Sequence, residues 1–158
     1  MTKPGQIKGG RRTDKYIADA LKRARSGARS VAVGFFETAR YPDGTKAAFV
    51  AAVNEFGTND GRIPERPFLR QSIEEAKDEL APLVEQLTDP ETLRIDDRLP
   101  DAVGTAMTNI IQRRITALTD PPNAPATVAR KGSSNPLIDT GFLRRSVTHR
   151  VGKPKQGG

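Results

Sequence analysis

The residues best placed to do chemistry are Asp139, Thr140 and Gly141, which follow the apolar pair Leu137-Ile138. An Asp-Thr-Gly loop offers its carboxylate on a small-residue turn. Two such loops, one from each of two subunits, would let a pair of carboxylates share one proton. Other reactive groups are scarce. The chain has no cysteine, which excludes thiol nucleophiles, thiolate zinc sites and disulfides. Its one histidine, His149, cannot build a His-rich metal site and has no Gly-x-Ser-x-Gly elbow to serve. It reads as a partly exposed strand residue. Glu74, Glu75, Asp78 and Glu79 lack the loop spacing of a cation site and read as a solvated helix face. No Gly-rich phosphate loop of either common type is present.

The Asp139 motif resembles the catalytic loop of retroviral-type aspartic proteases, but its surroundings depart from theirs. Those enzymes need a flap and further strands after the loop. Here seventeen residues follow Gly141, and Phe142-Leu143-Arg144-Arg145 reads as a helical turn. The expected role of Asp139 is therefore a helix cap, with Thr140-Gly141 packed close to another backbone. No enzymatic activity, cofactor or metal is expected. Arg130-Lys131, beside Gly132-Ser133-Ser134, could contact phosphate. No aromatic residues interleave with them, and no helix-turn-helix, zinc finger or ribonucleoprotein motif occurs. Nonspecific binding of nucleic acid through phosphate contacts stays open as an alternative function.

These residues must be positioned by a modest core. Only 35% of the 158 residues are hydrophobic and 28% are charged, a length suited to one domain of the usual ~100–200 residues. Residues 1–12 read as a flexible basic arm with no apolar stretch of the kind a secretory signal needs. Thr13 can cap a helix to about Gly27, with Ile17, Ala20, Leu21 and Ala24 inward and Lys15, Lys22, Arg23 and Arg25 outward. Ser30 to Phe36 is the best strand, and Tyr41-Pro42-Asp43-Gly44 a turn. Lys46 to Phe56 predicts a short buried helix ended by Gly57.

A loop from Thr58 to Arg66 precedes a long amphipathic helix with Pro67 at its first turn. Its stripe is Leu69, Ile73, Ala76, Leu80, Leu83, Val84 and Leu87, and Pro82 should kink or interrupt it. After a polar connector, Thr88 to Leu99, a second stripe runs from Val103 to Leu118. Asp120 to Asn135 predicts a long loop without an element, and Ser146 to Val151 a strand with Val147 and His149 on one face. The organisation expected is an arm (1–12), one domain (13–151) and a tail (152–158).

Charge is distributed in blocks. Residues 1–50 hold eleven Lys/Arg against four Asp/Glu, residues 51–100 six against twelve, and residues 101–158 nine against three. Such blocks allow one subunit's basic part to meet its neighbour's acidic part, a heterologous contact that closes into rings when the rotation permits. The acidic block could equally be the solvated face of one helix.

Three segments carry a further resemblance. They are Asn54-Glu55-Phe56-Gly57-Thr58, then Ile63-Pro64-Glu65-Arg66-Pro67-Phe68-Leu69, then Pro136-Leu137-Ile138-Asp139-Thr140-Gly141-Phe142-Leu143. In this order, after a strand like Ser30 to Phe36, they resemble the tail-completion, neck and minor tail proteins of tailed bacteriophages. The virion morphogenesis proteins of Mu-like phages belong to this group. The resemblance implies an α+β fold, a small antiparallel sheet packed against several helices. It also implies a structural virion protein at the head–tail junction, made in the host bacterial cytoplasm. That protein would form a ring, commonly hexameric, and join the connector to the tail terminator or tube, without a membrane. Physical roles follow for the motif residues. Phe56 would end the buried helix and Gly57 reverse the chain. Pro64 and Pro67 would stiffen the segment so that Arg66 points in a fixed direction. Phe68 and Leu69 would anchor the acidic helix. In such a ring, Lys15, Lys22, Arg23 and Arg25 could face genomic DNA in the lumen.

Overall fold

Ser30 and Gly152 face each other across an antiparallel strand pair, although 122 positions separate them in sequence. The computed structural model describes residues 30–152. The expected basic arm, the first helix with Lys15, Lys22, Arg23 and Arg25, and the tail beyond residue 152 lie outside the described residues. Strand β1 is Ser30–Phe35, one residue shorter than expected, and strand β2 is Val147–Gly152, shifted one residue toward the C-terminus. Their register pairs Val33 with His149 and Phe35 with Val147. Alternation turns Val31, Val33 and Phe35 inward, as β-branched and aromatic residues favour.

Five helices lie between the strands: α1 (Ala47–Phe56), α2 (Phe68–Gln86), α3 (Leu99–Ala117), α4 (Pro125–Lys131) and α5 (Phe142–Arg145). The arrangement is α+β, a two-stranded sheet packed against helices. A lone strand pair is marginal in water, so α3 does the supporting. It packs on α2 along one side and on both strands along another. The core gathers Phe68, Ile111, Ile115, Leu118, Leu137, Leu143 and Val147, with Phe35 edge-on to Phe68 at 6.2 Å. No helix among the described residues is long and apolar enough to cross a membrane.

Several expectations change. Pro82 sits inside an unbroken α2. The supposed long loop contains α4, which begins with Pro125 in its first turn and ends at Gly132 in the left-handed region, φ 70°. Since α4 buries no residue, it leaves no apolar periodicity to find. The acidic face is not simply solvated, because Glu75 pairs with Arg114 and Glu79 with Arg113 of α3. Nor is α1 buried throughout: Phe49 and Phe56 are exposed while Ala47, Ala51 and Glu55 are covered.

The connector between α2 and α3 is organised by its acids. Asp96 Oδ1 accepts from the Arg98 N–H at 2.8 Å, and its carboxylate also accepts from the Arg98 guanidinium. Those bonds, the side-chain one first, hold the Asp96 carboxyl at about 2. Its pKa is depressed below the ordinary 3.8, so its stabilising contribution is present above that pH and is lost as pH falls toward about 2. Carboxyl NMR titration should give an Asp96 midpoint near 2, and Arg98→Ala should return it toward 3.8.

Gly104 in α3 lets β2 approach. A Cβ there would stand 2.3 Å from His149 Cδ2. Gly104→Ala should therefore destabilise by about 1–3 kcal/mol despite alanine's better helix propensity. His149→Ala should recover most of that loss in a urea-denaturation double-mutant cycle.

Candidate functional site

The first two motif segments meet around the N-terminus of α2, and the third lies across a cleft from α1. Helix α2 begins after Pro67, which has no side-chain acceptor to cap it. The acceptor comes instead from α1. Glu55, 2% exposed, takes the Leu69 N–H on Oε2 at 2.8 Å and the Arg70 N–H on Oε1 at 3.1 Å. The favourable end of the helix dipole also faces this carboxylate. Arg70 Nε closes the pair at 3.0 Å, and its guanidinium also pairs with Glu65. These hydrogen bonds, the one donated to Glu55 first, raise the Arg70 pKa. The guanidinium also lies 5.6 Å from the ring centre of Phe56.

Arg66, expected to point in a fixed direction, points inward and is 4% exposed. It also has no carboxylate partner among the described residues. Nε donates to the Pro121 carbonyl at 3.0 Å, and Nη2 to the Pro122 carbonyl at 3.1 Å. Nη1 donates to Asn54 Oδ1 and Nη2 to Asn123 Oδ1, each at 3.3 Å. The Arg66 N–H donates to the Asn54 carbonyl at 2.7 Å. Burial lowers the Arg66 pKa from its usual value. Gly57 is required where the loop folds back, at φ 69°, with the Glu65 N and Ile63 O each 2.9 Å from where a Cβ would be. Pro64 is exposed, Pro67 immediately precedes the helix and Phe68 is fully buried.

The third segment forms one wall of a cleft of about 260 Å³. Val50 and Asn54 of α1 line it with Tyr41, Lys131, Leu137 and Asp139. Burial raises the Tyr41 phenol first, then the charges of Asp139 and Asp43. Burial lowers the Lys131 ammonium, against the opposing charge of Asp139. Asp139 is not the helix cap expected. The Phe142 N–H donates to Thr140 Oγ1 at 3.3 Å, and Gly141 stands directly before α5. Nor does Gly141 pack on another backbone. It has φ 74°, and what a Cβ would meet is the Arg145 guanidinium. Leu137 is buried in the core.

The Asp-Thr-Gly loop thus runs into a helix. His149 is engaged elsewhere, 2.9 Å from Asp101 Oδ1. Among the described residues no group of three or more His, Asp or Glu stands together to hold a metal ion. What the arrangement does is join distant chain segments: Asn54 to Arg66 to residues 121–123, and Glu55 to α2. The sequence marks Tyr41 for a turn, Lys131 for phosphate and Arg70 as the end of the second segment, but not for these roles, and it does not single out Asn123. No family model matches the chain, no curated protein matches it, and no solved structure matches its fold.

Proposed function

We propose that the chain is a structural subunit of a tailed bacteriophage, a tail-completion or neck protein that forms a ring, with hexameric symmetry, between connector and tail. One observation carries the reading. The segments that resemble such proteins meet in space, with Asn54 bonded to Arg66 and the Asp139 loop across a cleft from α1. Their buried charged residues, Glu55 and Arg66, serve to fix one shape. Glu55 and Arg66 spend nearly all their hydrogen-bonding capacity on backbone groups and on neighbouring side chains. A residue set devoted to shape suits a protein that works by fitting neighbours. The test is quantitative mass spectrometry of purified particles. The reading expects the chain at a fixed few copies per particle, comparable to other neck proteins. Particles that lack it would rule the reading out.

A further inference from the structure

Asp139 stands out in the sequence, yet it has no task inside the described residues. It is exposed, accepts no hydrogen bond and forms no ion pair among them. It lines the cleft beside α1 instead. Tyr41 and Phe142 give that cleft an aromatic wall, their ring centres 4.5 Å apart. Asp43 adds a second carboxylate, whose Oδ1 accepts the Thr45 N–H at 2.9 Å. After burial itself, the charges of Asp139 and then Asp43 raise the Tyr41 phenol, so both fields reach the aromatic wall. Lys131 is the cation among the lining residues. Its ammonium donates to the Pro136 carbonyl at 3.3 Å. Two carboxylates against one ammonium leave the lining with one net negative charge.

An uncommitted carboxylate beside an aromatic wall fits a cation, and an ammonium or guanidinium over a ring gains most where water is excluded. At about 260 Å³ the cleft is smaller than the ~300–1,000 Å³ of pockets for drug-sized molecules. Its scale is that of one long side chain. The chain keeps its excess of cations in one place. Residues 1–29 carry nine Lys/Arg and two Asp/Glu, which is +7 and equals the charge of the whole chain. Residues 30–152 carry fifteen and seventeen, which is −2. Within residues 1–12 stand Lys3, Lys8, Arg11 and Arg12 and no acidic side chain. Residue 29 leads directly into β1. Twenty-nine residues can extend to about 100 Å, so reach does not limit the contact.

We infer that the basic segment 1–12 docks on the described domain by placing one of its four basic side chains in this cleft, against Asp139 and the wall of Tyr41 and Phe142. The contact gives Asp139 its role and sets the most basic part of the chain against an acidic opening. It stands independently of the ring reading, since it can be made within one copy or between two.

Carbodiimide, which joins a carboxylate to an amine touching it, tests the inference on the full chain. In R11K/R12K each basic side chain of the segment carries an amine. Links from Asp139 to a lysine of residues 1–12 should form in several-fold excess over links from the exposed Asp78 and Asp97 to the same lysines. Links at Asp139 no more frequent than those overturn the inference. Links from Asp139 to Lys153 or Lys155 in their place give the cleft to the C-terminal tail and overturn it as well. Trypsin supplies a second reading on the chain with its native arginines. Asp139→Asn should speed cleavage after Arg11 and Arg12 about tenfold, the worth of one charge-assisted hydrogen bond, with unchanged circular dichroism. Asp78→Asn should leave that rate as it is. Cleavage of D139N at the wild-type rate contradicts the docking.

Discussion

Glu55→Ala should destabilise the protein by about 2–4 kcal/mol, the cost of leaving two N–H groups at a helix start without an acceptor. The carboxylate is 2% exposed and is the acceptor for two N–H groups in the first turn of α2. Alanine would leave both without a partner, in a place where water has little room to replace it. Pro67 cannot compensate, since its side chain accepts nothing. Arg70→Ala should cost far less, about 1 kcal/mol, because Arg70 is half exposed and Glu55 would keep both N–H bonds. Urea denaturation of the two variants separates the cap from the ion pair. Equal losses would mean that the pair, not the cap, holds α2.

Arg66→Ala should cost about 3 kcal/mol, because four charge-assisted hydrogen bonds are lost. The acceptors are spread over Pro121, Pro122, Asn123 and Asn54. A planar guanidinium spans them and an ammonium does not. Arg66→Lys should therefore recover less than half of the loss, although the charge is kept. Amide exchange in the segment before α4 should rise in both variants, while β1 and β2 stay protected until global unfolding. Exchange that rises uniformly would contradict a local tether.

Much of the fold was legible in the sequence because the signals are local. The β-branched run at Ser30, the turn at Tyr41-Pro42-Asp43-Gly44 and the stripes of α2 and α3 each declare themselves within about ten residues. The turn is closed by the Gly44 N–H to the Tyr41 carbonyl at 2.9 Å. Elements without a buried face were not legible, as α4 shows. Roles that depend on a distant partner were not legible either. Glu55 and Arg66 were marked as motif residues, but nothing within their segments says that one caps another helix and the other faces inward. Those roles come from the end of α1 reaching the first turn of α2 and from residues 121–123, more than fifty positions beyond Arg66. Asp139 failed as a cap for a smaller reason, since Thr140 stands one residue nearer to the Phe142 N–H.

The central claim, that this chain acts as a shaped subunit of a tailed particle, is met most directly by cryo-electron microscopy of the particle produced by its parent phage. The account predicts a ring at the head–tail junction whose density fits residues 30–152 in every subunit. A junction fully accounted for by other chains, leaving no density for this one, would contradict it.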